Sequence, residues 1–181
     1  TEAERMNDLI GQLLTLSRLE SGAGKIAPET VDMSALLERL VENCNFELAA
    51  DDRRAVIVEA APAMLEGDPA LLTSAFENVI RNAARYTDPG TAVEVAARIE
   101  GGRLEVRVRD HGPGITEPML DRVFDPFVRV GDARDRGSGG YGLGRAIAKR
   151  AIGLHGGEIA AANHPDGGLE ITISLPLASG G

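Results

Sequence analysis

The sequence predicts an α+β fold: a two-layer sandwich with helices on one face of a mixed sheet, preceded by a bundle-type helix. Three observations carry that expectation. Apolar residues recur at three- and four-residue spacing over 3–20, 32–50, 68–86 and 141–155, the period of helices with one buried face. The intervening "AVIVEA", "TAVEVAARIE", "RLEVRVRD", "GEIAAAN" and "LEITISLPL" are short and β-branched or alternating, as strands are. The second and third of these are joined by Gly101-Gly102, a hairpin signal, and the last two form another hairpin.

In the first helix, Met6, Leu9, Leu13 and Leu16 follow a coiled-coil seam, widened by Ile10 and Leu14. A helix this short and apolar on one side needs a partner. "SGAGKIAPET" (21–30) reads as a linker, so the chain divides into a helix over 1–21, a linker over 22–30 and a domain over 31–177. The second helix starts at a cap, Asp32 or Ser34, and runs to about Ala50. Cys44 falls on its apolar stripe with Leu36, Leu37, Leu40, Val41 and Leu48, and reads as a core thiol. The third is capped by Asp68, with Pro69 at the first helical position, and reaches Tyr86. A long loop with short helical pieces covers 111–138. The last helix spans Tyr141 to His155, with Leu143, Ile147, Ala151 and Leu154 on one face and His155 at a C-terminal cap.

Composition sets further bounds. Hydrophobic residues are 43% of the 181, but aromatics only 3%, so the core is built from Leu, Val, Ile and Ala. A net charge of −9 argues against nucleic acid as a partner. A single nucleotide stays open, because it needs only a local anion site. One cysteine excludes an internal disulfide and a cysteine metal cluster. No apolar run approaches the roughly 18 residues of a membrane span. The opening on Thr1, already inside a helix pattern, reads as a piece of a longer protein.

Three stretches carry chemistry. Five of the eight residues Gly137 to Gly144 are glycine, and a helix pattern follows at once. Glycines feeding a helix N-terminus expose backbone N–H groups that suit a phosphate. Neither GxxxxGK[ST] nor GxGxxG fits this run. Asp110 ends a strand and is followed by a turn on Gly112 and Gly114, where a carboxylate can accept from an exocyclic amine. On the third helix Asn78, Asn82 and Arg85 share one stripe, with Tyr86 beside it. A second stripe of Leu72, Phe76, Val79 and Ala83 lies about 110° away. Two mediocre helix formers at the margin of a buried face call for a reason.

Taken together, these stretches resemble sensor histidine kinases. Asn78-x3-Asn82-Ala83-x-Arg85-Tyr86-Thr87 is similar to their N box and Asp110-x-Gly112-x-Gly114-Ile115 to their G1 box. Phe124-x-Pro126-Phe127 is similar to the F box, and Gly139-Gly140-x-Gly142-Leu143-Gly144 to the G2 box. The resemblance covers about 31–177, and the first helix resembles the second helix of the family's dimerisation and phosphoacceptor hairpin. It implies the ATP-binding α/β sandwich shared with gyrase, with ATP and Mg²⁺ as cofactors. Asp110 would accept from the adenine amine, and Gly112, Gly114 and Ile115 would line the base. Asn82 would be the magnesium ligand, supported by Asn78. Arg85 would face phosphates and Tyr86 would pack on adenine. A lid over 128–140 would bring Arg134 and Arg136 to the phosphates, with Gly140, Gly142, Leu143 and Gly144 at its end.

The same resemblance implies a γ-phosphoryl transfer to a His on a hairpin helix, relay to a response-regulator receiver domain, and a homodimeric parent. That parent would sit in a bacterial inner membrane, with this part cytoplasmic. None of His111, His155 and His164 has an acceptor-like context. Two positions depart from the family: Tyr141 replaces a common Thr or Ser, and Arg145 a common Leu. Arg145 places a cation near the phosphate end of the helix or faces solvent. Three other readings are weaker. A gyrase-like ATPase carries a Glu one turn before the magnesium Asn, where this chain has the neutral Asn78. An anti-sigma-factor serine kinase fits poorly with the first helix and the F box. A nucleotide-free interaction domain fits poorly with an intact Asp110 and Asn82.

Overall fold

Helix α1 (Glu2–Glu20) starts at a reciprocal cap: Thr1 Oγ1 accepts the Glu4 N–H, and the Glu4 carboxylate takes the Thr1 amine. The computed structural model describes residues 1–22, 26, 28–130 and 141–179. Of the expected seam on α1 only Leu16 is buried, together with Leu19. Met6, Ile10 and Leu14 stay exposed. Among the described residues no helix is long and apolar enough to cross a membrane.

The chain then forms β1 (Glu29–Asp32) and α2 (Met33–Glu47). Two residues of the segment read as a linker, Glu29 and Thr30, therefore lie in a strand. Asp32 caps α2 by accepting from Ala35 N–H at 3.2 Å, while Ser34 donates to the Ala61 carbonyl instead. The helix stops at Glu47 rather than near Ala50. Strand β1 pairs antiparallel with β3 (Met64–Gly67), a small sheet that no sequence pattern announces.

The main sheet contains β2 (Arg54–Ala60), β4 (Ala92–Glu100), β5 (Arg103–Arg109), β6 (Glu158–Asn163) and β7 (Leu169–Pro176). Their order is β2-β4-β5-β7-β6. Only β2 and β4 run parallel, so the sheet is mixed. Helix α3 (Pro69–Tyr86) lies between these two strands in the chain, and a parallel pair requires such a crossover. It begins at Asp68, whose carboxylate accepts from Ala70 and Leu71 N–H.

Alternation decides the layers. Val93, Val95, Val106, Val108, Ile171 and Ile173 point one way and are buried under α2, α3 and α5 (Gly144–Leu154). Their neighbours Glu94, Arg98, Glu105 and Arg107 face the open side. Phe76 and Leu72 of α3 are fully buried in the same core, and Cys44 is buried there as expected. Each such aliphatic or aromatic side chain contributes about 1.5–3 kcal/mol.

Helix α5 starts later than the sequence suggests. Gly142 has φ +76°, which breaks the helix, so Tyr141 to Leu143 form its approach. The shifted start changes the buried face. Ala148, Ala151 and Ile152 pack on the sheet, Leu143 and Ile147 meet Leu16 and Leu19 of α1, and Leu154 is exposed. His155 is at the C-cap, and its Nε2 accepts from the Asp68 N–H at 3.0 Å, tying the end of α5 to the start of α3. The expected short helical piece is α4 (Glu117–Leu120).

Candidate functional site

Asp110 follows β5 and is 4% exposed. Its Oδ1 accepts from Gly112 N–H at 2.9 Å and from Leu169 N–H at 3.1 Å. Burial pushes its carboxyl above the usual range. Those two N–H groups and the charges of Arg145 and His111 act the other way. Gly112 is obligatory because a Cβ there would strike the Tyr86 carbonyl, so the turn packs directly on the end of α3. Thr87, the C-cap of α3, is almost fully buried and its Oγ1 accepts from His111 N–H at 3.0 Å. Asn163 at the end of β6 brackets Ile115, accepting from its N–H at 2.9 Å and donating to its carbonyl at 2.6 Å.

These contacts frame a cleft of about 360 Å³. Asp110 lies in it with Tyr86, Gly114, Ile115, Met119 and Leu169. A second, more polar cleft of about 140 Å³ adjoins it and shares Tyr86, Arg129 and Arg145. Asn78, Asn82, Arg85, Gly142 and Gly144 line this second space, and Gln12 of α1 reaches it. The stripe read on α3 thus faces one cavity. Asn78 Nδ2 donates to the Ser74 carbonyl at 2.9 Å, and its Oδ1 lies 2.7 Å from where a Cβ on Gly144 would fall. Helix α5 starts at the cleft, and no side chain among the described residues caps it. Leu143 is fully buried beneath it, clustered with Leu16, Leu19, Ala146 and Ile147, and is not itself a wall of either cleft.

Arg145 takes one of the two placements the sequence leaves open. It is 8% exposed, and its guanidinium lies 5.5 Å from the centroid of the Tyr86 ring. Burial lowers its pKa. Tyr141 spans to the first helix, donating its hydroxyl to the Arg5 carbonyl at 2.7 Å. Arg134, Arg136 and Gly140, and the lid beyond Val130, lie outside the described residues. Sequence reasoning missed Leu169, Met119 and Asn163. Leu169 and Asn163 reach the site only through the final hairpin, and nothing local marks them.

The two-layer sandwich thus carries an apolar cleft with a buried carboxylate, continuous with a polar cleft at the start of α5. Residues 67–179 match the family model described as histidine kinase-, DNA gyrase B-, and HSP90-like ATPase. The sensor histidine kinase CpxA of Escherichia coli strain K12 is 37% identical over 98% of the chain and 38% of its own length. The sensor-like histidine kinase SenX3 of Mycolicibacterium smegmatis is 37% identical over 97% of the chain and 46% of its own. Among solved structures, full-length ShkA in complex with AMPPNP superposes with a TM-score of 0.81 at 25% identity, over 99% of this chain and 37% of that one. The chain belongs to this family, as an ATP-binding catalytic domain of the sensor histidine kinase type. It spans less than half the length of the curated relatives it matches.

Proposed function

We propose that the two clefts hold Mg-ATP and present its γ-phosphoryl group to a histidine on a helical hairpin outside these residues, for relay to a receiver-domain aspartate. The observation that carries this is Asp110, buried at an apolar cleft that opens onto Asn82 and Arg85. With Oδ1 occupied by two N–H groups, Oδ2 is left to accept from the adenine amine. Ile115 and Tyr86 cover the base, Gly112 and Gly114 let the backbone approach it, and Asn82 supplies an amide oxygen to magnesium. Asn78 holds the head of α5 in register, and Arg85 meets the phosphates. Arg134, Arg136 and Gly140 are assigned to the lid by the resemblance alone.

ATP supplies the reacting group: its bond from γ-phosphorus to ADP breaks as one to an imidazole nitrogen forms. The chain's own part is positioning and charge stabilisation. Helix α1 (within 1–21) serves as the second helix of the hairpin, followed by a linker and the ATP-binding domain over 31–177. We assign this part to the cytoplasm and its parent, a homodimer, to a bacterial inner membrane.

A gyrase-like hydrolase is disfavoured by Glu77, the carboxylate next to Asn78 in the chain. It pairs with Arg81 at 3.0 Å and is no wall of either cleft. The chain's histidines also have other partners. His155 bonds Asp68 and Ala151, His111 bonds Glu94, and His164 accepts from Asp166 N–H. Incubation with radiolabelled Mg-ATP and a hairpin from a relative tests the reading. Acid-labile label is expected on the hairpin and none on this chain. Label on this chain, or phosphate release with no transfer, would overturn it.

A further inference from the structure

Arg145 stands on the first turn of α5, nine-tenths buried; among the described residues no carboxylate lies within ion-pair distance of it, and the Asp110 charge supports it from farther off. Buried charges are normally paired, because desolvating one alone is unfavourable. Its partner here is the face of Tyr86. The ring face and the hydroxyl of Tyr86 support the cation, but they carry no full negative charge. Arg145 also lines both clefts and so stands at their junction. On one side is Asp110, already matched to a donor, and on the other are Asn82 and Arg85. Arg85 is exposed, so Arg145 is the buried cation of the pair.

We propose that Arg145 contacts the nucleotide directly, donating to a non-bridging oxygen of the phosphate chain where that chain leaves the base cleft. The site thereby selects nucleoside di- and triphosphates over nucleosides. A guanidinium has only donors and matches a phosphate edge with two parallel bonds. The uncharged acceptors of a base would leave its charge uncompensated. The inference rests on the nucleotide reading above and adds a selectivity residue to it.

The test is calorimetric titration of the 181-residue chain with adenosine, ADP and ATP, in the wild type, Arg145→Met and Arg145→Lys. Methionine keeps an unbranched stem against Tyr86 and removes the donors. Arg145→Met is expected to weaken ADP and ATP about 10- to 100-fold, with adenosine within about twofold, as for loss of a charge-assisted bond. Arg145→Lys should recover part of the preference for ADP over adenosine. An equal loss for all three ligands, or no loss, overturns the proposal. If Arg145→Met loses its cooperative melt, Arg145→Lys decides: a reduced ADP preference supports the contact and an unchanged one overturns it. A wild type that binds neither ADP nor ATP would instead sink the nucleotide reading.

Discussion

Gly144→Ala probes how closely the head of α5 approaches α3. A Cβ at Gly144 would lie 2.7 Å from Asn78 Oδ1 and 3.3 Å from its Cγ, inside van der Waals contact. The obstacle is the end of a side chain, so the backbone can stay while Asn78 swings away. Its Nδ2 then leaves the Ser74 carbonyl, now 2.9 Å distant. Losing that bond costs about 0.5–1.5 kcal/mol. Against this, alanine is better than glycine in a helix by up to about 1 kcal/mol. The two effects oppose each other, so Gly144→Ala alone should change stability by no more than about 1 kcal/mol. In an Asn78→Ala background the obstacle is gone and the same substitution should stabilise. Urea unfolding of the four proteins, followed by circular dichroism, gives the coupling, expected at about 0.5–1.5 kcal/mol. Additivity within about 0.3 kcal/mol would refute the packing argument. Because Asn78 lines the polar cleft, Gly144→Ala should also weaken Mg-ATP binding.

Two further outcomes follow. The Asp110 carboxyl is raised mainly by burial, so its contribution to stability is present at low pH and lost as pH rises through the folded-state value. Ligand-free Asp110→Asn should therefore be at least as stable as wild type near about pH 7, with the advantage shrinking towards about pH 4; thermal melts across that window check it, and an advantage that grows in acid contradicts it. Tyr141→Phe removes the hydroxyl bond to the Arg5 carbonyl and should cost about 0.5–1.5 kcal/mol of docking. Hydrogen exchange should then quicken in α1 and leave the main sheet unchanged; unaltered α1 protection would mean the contact does not hold the helix.

Much of the fold was legible because its signals are local. The Gly101-Gly102 hairpin, the Asp68-Pro69 start of α3 and the Asn78-Asn82-Arg85 stripe each need only neighbouring residues to be read. Strands β1 and β3 were illegible: each has four residues, and their pairing, Thr30 against Glu66, joins distant segments. The parallel pairing of β2 with β4 is long-range in the same way. Leu169 entered the site because β7 lies beside β5 in a register that pairs Arg109 with Glu170. The orientation of Arg145 depended on where α5 begins. Helix periodicity alone carries on through Gly142, whose left-handed backbone moves the start to Gly144.

The central claim is that Asp110 reads the base of a bound adenine nucleotide. Asparagine has the same shape, and its Oδ1 can keep the Gly112 and Leu169 N–H bonds. Its amide group, however, turns donors towards the adenine amine. Calorimetric titration of Asp110→Asn with a non-hydrolysable ATP analogue and Mg²⁺ measures the consequence. A lost bond to a charged acceptor is worth about 1.5–3 kcal/mol, so the dissociation constant should rise at least about tenfold while the melting transition is retained. An unchanged dissociation constant in a folded variant would remove Asp110 from the site and contradict the account.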